Sequence, residues 1–434
     1  MDPVTIGLVG IVVLVVMFLL GMPVGFTMAF IGTIGFCVLK GANTGLGLLA
    51  RDFWDVFSGY SLTVIPMFVF MGSIAFVSGM SGRLYDAAYL GFGKMRGGLA
   101  MATVVATAGF SAICGSTSAT AAAMGKVSIP EMRRYGYDPG LAAGCAAAAG
   151  SLGIMIPPST IFIIYGILAQ ESIGKLFVAG VIPGLILASL FVGAVYLWAR
   201  FKPAAAPAGG TASLRKKLIG MTGLLEMAAL FALVLGGLFA GLFSPTQAGA
   251  AGTAGAIVIG LLRRSLSLKK FWEATKDTLQ ITAMIFMIVA GATVFGHFMA
   301  VTGIPRAVSD FFGGLPIPPT AVMILILIMY LLAGMFMDSL AMVTLTVPIL
   351  FPTVMRLGFD PIWFGVMIVL VVEMGVITPP VGINVYIIKG VVPDIPLGKI
   401  FKGASLFLVG MVILAALLLL FPIIATWLPS FVSY

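Results

Sequence analysis

Hydrophobic residues fall in long blocks separated by short polar or charged segments, rather than at the spacing of a half-buried soluble helix or strand. Runs such as Ile6–Leu20, Gly223–Phe243 and Leu406–Ile424 approach the roughly 20 residues with which a helix crosses about 30 Å of hydrocarbon. The pattern predicts five spans in a first half, over 5–21, 24–40, 60–80, 140–166 and 176–199. Five more follow over 222–242, 245–262, 279–300, 362–388 and 403–427. Each half holds one further apolar segment, 98–126 or 321–351, interrupted by Gly115-Ser116-Thr117-Ser118 or by Asp338-Ser339. Such a segment is either a full crossing or a re-entrant hairpin. Segments 42–59 and 263–278 mix aromatic and charged residues, as in Asp52-Phe53-Trp54-Asp55 and Lys270-Phe271-Trp272-Glu273, and are expected as interfacial amphipathic helices.

The two halves repeat. At an offset of 222 residues Pro130, Arg134, Gly136, Asp138 and Pro139 coincide with Pro352, Arg356, Gly358, Asp360 and Pro361. In the same register Gly153, Pro157 and Pro158 fall on Gly375, Pro379 and Pro380, and Ser116 falls on Asp338. A Pro/Ala/Gly stretch from Phe201, closing with Arg215-Lys216-Lys217, separates the copies. The expected organisation is a first repeat over 1–200, a cytoplasmic linker over 201–221 and a second repeat over 222–434.

Composition sharpens this picture. With 61% hydrophobic and 9% charged residues, a water-soluble core of this size is implausible. The first apolar run lacks the basic head of a cleaved signal peptide. Cys37, Cys114 and Cys145 have no ligand spacing and read as packing residues. The net charge of +9 lies between apolar segments, which argues for membrane topology and against nucleic acid.

If the interrupted segments are hairpins and the N-terminus is outside, 19 of the 24 Lys and Arg residues face the cytoplasm, leaving Lys40, Arg51, Lys175, Arg306 and Arg356 outside. Full crossings give at best 16 against 8, so the positive-inside rule favours hairpins. Five crossings per copy then invert the second copy relative to the first, with both termini periplasmic. The fold expected is an all-α polytopic membrane protein with an inverted-topology repeat, two re-entrant hairpins and two discontinuous helices, a transporter architecture.

Chemistry is expected where backbone breaks inside the bilayer, because unpaired carbonyls there must be satisfied by protein, water or an ion. Gly153–Pro158 and Gly375–Pro380 are such breaks, since paired prolines remove donors and resist helix continuation. Their carbonyls and neighbouring hydroxyls are hard oxygen donors suited to sodium. Ser116, Thr117 and Ser118 at one tip, and Asp338 and Ser339 at the other, precede returning half-helices as caps. A helix N-terminus also attracts anions, so the tip hydroxyls can hold a carboxylate while Asp338 serves a cation. Ser159, Thr160 and Asn384 offer hydrogen bonds toward the same cavity. Asp138-Pro139 and Asp360-Pro361 are capping pairs. Glu373 and Glu226 read either as buried proton carriers or as satisfied interface residues, and His297 alone builds no metal site. No P-loop motif is present, so the energy source is an ion gradient or a partner.

The segments Gly109–Ala121, Gly150–Ser159 and Gly375–Asn384 resemble the large membrane subunit of tripartite ATP-independent periplasmic (TRAP) transporters, and the resemblance covers nearly the whole chain. It implies an elevator-type secondary transporter, with a scaffold and a mobile transport domain, driven by sodium, with no organic cofactor and no enzymatic activity. One sodium site would fall on Ser116, Ser118, Gly153, Ile156 and Pro158, a second on Asp338, Gly375 and Thr378. Thr117, Ser159, Thr160, Ser339 and Asn384 are then the expected substrate contacts. The implied partners are a small four-helix membrane subunit and a soluble periplasmic binding protein, delivering an organic acid such as a C4-dicarboxylate or sialic acid across the bacterial inner membrane. A stand-alone ion-coupled carboxylate carrier remains an alternative, and a membrane scaffold or intramembrane enzyme a remoter one.

Overall fold

A computed structural model describes residues 2–209 and 214–431. The first half opens with α1 (Pro3–Leu19) and α2 (Val24–Lys40). Gly41, at φ +92°, ends α2 and lets the chain turn into α3 (Ala42–Ser58). Next come α4 (Val64–Val77), α5 (Met80–Phe92), α6 (Gly98–Cys114), α7 (Thr117–Arg134), α8 (Pro139–Gly150) and the single turn α9 (Leu152–Met155). After a break the chain resumes as α10 (Thr160–Ala169) and α11 (Ile173–Phe201).

The second half runs through α12 (Leu214–Phe231), a π-helical turn over Ala232–Gly236 and α13 (Gly237–Phe239), then α14 (Pro245–Leu262) and α15 (Leu268–Thr302). It continues with α16 (Ile304–Gly313), α17 (Pro319–Gly334), α18 (Ser339–Arg356) and α19 (Pro361–Gly375). After a second break come α20 (Ile383–Val391), α21 (Leu397–Leu420) and α22 (Ile423–Thr426). Among the described residues there is no strand, and several helices are long and apolar enough to cross a bilayer. The chain is an all-α multi-pass membrane protein.

Three differences from the hydropathy pattern stand out. The amphipathic segment expected over 263–278 is no separate element; from Leu268 it is continuous with the following span as the 35-residue α15, because no Gly or Pro interrupts the chain before Gly291. Helices α5 and α16, too short and polar to span, were hidden in what the pattern leaves as loops. The Pro-Pro breaks lie slightly later than expected. Residues 153–155 still form a helical turn and the first break occupies 156–159, while α19 runs through Gly375 and the second occupies 376–382. In the expected linker, residues 210–213 and the side chains of Arg215, Lys216 and Lys217 lie outside the described residues, as do Met1 and the last three residues.

Packing rests on close backbone approach, as in membrane bundles, where apolar side chains gain little by leaving lipid. Helix α2 lies on α15, where a Cβ added to Gly25 would sit 2.6 Å from the Met287 carbonyl oxygen. Reciprocally α14 lies on α4, and Thr253 donates to the Met67 carbonyl at 2.7 Å. Helix α8 meets α21 through Gly140 and Gly144 against Gly403, where added Cβ atoms would run into the opposing backbone.

Candidate functional site

Local chemistry builds two matched corners. In the first half Gly115 adopts φ +62° and ends α6, and Ser116 caps α7 by accepting from Ala119 N at 3.4 Å. In the second, Asp338 caps α18 by accepting from Leu340 N at 3.1 Å. Asp138 and Asp360 cap α8 and α19 at 2.9 and 2.8 Å, each followed by proline at the first helical position. The Pro157–Pro158 and Pro379–Pro380 peptide bonds are both cis.

Each tip is bonded to the break of its own half. The Gly115 carbonyl accepts from Thr160 N at 3.2 Å and from the Thr160 hydroxyl at 2.9 Å. A Cβ on Gly115 would also lie 3.0 Å from the Pro158 carbonyl oxygen, and one on Gly153 would lie 2.7 Å from that of Ser116. Glycine at both positions lets tip and break touch. In the second half the Met335 carbonyl accepts from Val381 N at 3.3 Å, and Gly375 packs on the Gly334 backbone.

The two corners meet at Glu373, on α19 and 1% exposed. Its Oε2 accepts from the Thr117 hydroxyl at 2.9 Å and its Oε1 from the Ser339 hydroxyl at 3.1 Å, so one carboxyl joins both tips. Thr117 Oγ1 also lies 3.1 Å from the Gly150 carbonyl and accepts from Asn384 Nδ2 at 2.9 Å. Asn384 donates in addition to the Ala147 carbonyl at 3.2 Å, and its backbone N to the Val376 carbonyl at 3.1 Å. Asn384 Oδ1, buried, accepts no hydrogen bond from the described residues.

Beside this junction lies a cavity of about 510 Å³. Ser116, Thr117, Ser118, Thr160, Asp338 and Ser339 line it, bringing six of the expected site residues from both halves together. Gly153, Ile156, Pro158, Gly375 and Thr378 stand behind that wall rather than on it. The Thr378 hydroxyl is turned back to the Met374 carbonyl at 2.6 Å. Ser159 caps α10 by accepting from Phe162 N at 3.3 Å, and Asn384 braces Thr117 from behind. The opposite wall comes from α4 and α15, including Asp277 and Gln280, and the middle of α7 adds Lys126. Sequence reasoning missed these three; the signal available was a lysine set among the small residues of a returning hairpin helix.

Two other ionisable clusters join helices away from the tips. Glu226 meets Arg83 at 2.8 Å and Arg263 at 2.6 Å, joining α12, α5 and the end of α14. Buried Asp52 lies 2.7 Å from His297 Nδ1, which pins α3 to α15.

Comparison with known proteins agrees with this architecture. Residues 11–424 match the family model described as the tripartite ATP-independent periplasmic transporter, DctM component. A C4-dicarboxylate TRAP transporter large permease protein from Pseudomonas aeruginosa is 36% identical over 88% of this chain and 87% of its own. The sialic acid TRAP transporter large permease protein of Vibrio cholerae is 33% identical over 95% of this chain and 96% of its own. In shape, the chain is similar to the YdaH transporter of Alcanivorax borkumensis, with a TM-score of 0.65 over 87% of this chain and 89% of that one at 15% identity, a likeness of fold alone. These relatives are transporter subunits and not enzymes, and the chain belongs to the DctM family, the large permease component of TRAP transporters.

Proposed function

We propose that this permease takes up an organic acid, a carboxylate such as a C4-dicarboxylate or sialic acid, across the inner membrane by sodium-driven symport. The carrying observation is the meeting of both tips at one cavity, tied through Glu373. Tip hydroxyls, a capping carboxylate and the carbonyls of two helix breaks supply oxygen atoms suited to a hard monovalent cation. Ser116, Ser118, Gly153, Ile156 and Pro158 form one proposed sodium site; Asp338, Gly375 and Thr378 form the other. The buried, unpartnered Asn384 Oδ1 adds an oxygen without a donor at the same junction. Thr117, Thr160 and Ser339 face the substrate directly, while Ser159 and Asn384 support them from behind.

Reciprocal packing of α2 on α15 and of α14 on α4 supports an inverted repeat whose second and third spans exchange partners. In this reading the tips, breaks and α21 move as a transport domain against a scaffold containing α2, α4, α14 and α15. A periplasmic binding protein delivers the substrate, a small four-helix subunit completes the complex, and the termini face the periplasm. The test is uptake into proteoliposomes holding the permease and its partners. An inward sodium gradient should drive uptake, and Ser118→Ala or Asp338→Asn should raise the half-saturating sodium concentration about tenfold, the loss of about one charge-assisted ligand. Uptake indifferent to sodium would sink the coupling, and equal uptake without the soluble protein would favour a stand-alone carrier.

A further inference from the structure

Among the described residues, Lys126 is the one basic side chain lining the tip cavity. Ser118, Ala122 and Lys126 all line it and follow one another at i, i+4 and i+8, so a single face of α7 runs from the tip to this ammonium. At 1.5 Å per residue, Lys126 stands about 12 Å along the helix from Ser118. It also stands about 10 Å short of Arg133, whose guanidinium pairs at 2.6 Å with Asp394 in the exposed turn after α20. A lysine side chain reaches about 6 Å, too little to follow Arg133 to that level. Its charge therefore belongs to the cavity.

No described carboxylate comes within ion-pair distance of Lys126, whereas Arg83, Arg133, Arg263 and Arg356 all have acidic partners. Its ammonium instead lies 6.0 Å from the ring centre of Phe76 on α4, which holds it beside the cavity without neutralising it. The small Ala119, Ala122 and Ala123 leave space between it and the tip. A basic side chain that lines a cavity without an ion-paired carboxylate is available to a ligand anion.

Resting on the proposed uptake of an organic acid, we infer that Lys126 holds the carboxylate of the substrate, with the remainder of the molecule directed toward the tip hydroxyls. A lone ammonium is a point charge that balances a single negative charge, which suits a carboxylate. Asp277 on the opposite wall further disfavours a dianionic head group. Lys126 is thus a specificity residue distinct from the proposed sodium ligands.

The experiment compares wild type, Lys126→Gln and Lys126→Arg in proteoliposomes with the partner subunits, using labelled succinate and N-acetylneuraminate. Lys126→Gln should raise the KM of the carried anion about ten- to hundredfold, the loss of one charge-assisted bond. Its sodium half-saturation should stay within about twofold, and Lys126→Arg should remain near wild type because charge is what matters. A Lys126→Cys variant in a chain with its three native cysteines replaced by serine should recover its KM on alkylation with 2-bromoethylamine, which restores an ammonium. That rescue also separates lost charge from misfolding. An unchanged KM in Lys126→Gln, or no recovery on alkylation, overturns the assignment while leaving the uptake reading standing. Failure of wild type to carry either anion overturns both.

Discussion

Replacing Thr117 by valine isolates the junction between the two tips. Valine has nearly the same shape and is more apolar, so at a site governed by burial alone it would be neutral or stabilising. Here the Thr117 hydroxyl contacts Glu373 at 2.9 Å, Gly150 at 3.1 Å and Asn384 at 2.9 Å. Its removal strips Glu373 Oε2 of its partner and leaves Asn384 Nδ2 with only the Ala147 carbonyl. A buried polar atom deprived of its partner costs about 1–3 kcal/mol, so one full and one partial loss sum to about 2–4 kcal/mol. Thr117→Ser keeps the hydroxyl and loses one methyl group, at about 1 kcal/mol. Purified variants would be followed by denaturant and thermal unfolding in detergent, alongside sodium-driven uptake. Valine should be the less stable of the two and should lose uptake, because the tips are no longer joined. A valine variant as stable as the serine variant would refute the hydrogen-bond account of the junction.

Glu226→Gln should lower stability by about 2 kcal/mol, less than for a fully buried pair because Arg83 and Arg263 keep partial access to water; a melting temperature equal to wild type would show the cluster to be dispensable. Gly144→Ala should cost about 1–3 kcal/mol by forcing α8 off α21, whereas Gly193→Ala, with nothing within 4 Å of an added Cβ, should be neutral or slightly stabilising. Equal melting temperatures for these two alanine variants would contradict the glycine-mediated contact. Single cysteines at Arg134 and Arg356 should react with a membrane-impermeant maleimide from opposite faces of the membrane, and labelling from one face would refute the inverted arrangement.

Much was legible from residue pattern because its causes are local. Hydropathy marks the spans, Pro157-Pro158 and Pro379-Pro380 mark where helices cannot continue, and Asp138-Pro139 and Asp360-Pro361 mark where they restart. The duplication followed from register alone and pointed to Ser116 and Asp338 as matched tip residues, both of which cap the helix that follows. Boundaries that depend on one residue were harder. Gly41 separates α2 from α3, but no equivalent breaker separates the amphipathic start of α15 from its apolar remainder.

Tertiary structure decided which polar residues are partners. Thr117 and Glu373 are 256 residues apart, Asn384 and Thr117 are 267 apart, Asp52 and His297 are 245 apart. Nothing in local periodicity distinguishes a glutamate that joins two tips from Glu226, which two arginines neutralise. The sequence by itself determined where the chain must break inside the membrane, since a missing amide donor acts at its own position. Only packing decided that both tips close on one cavity, with the breaks behind them, and that Lys126 opens into it, because those contacts depend on how close glycine-lined helices can approach.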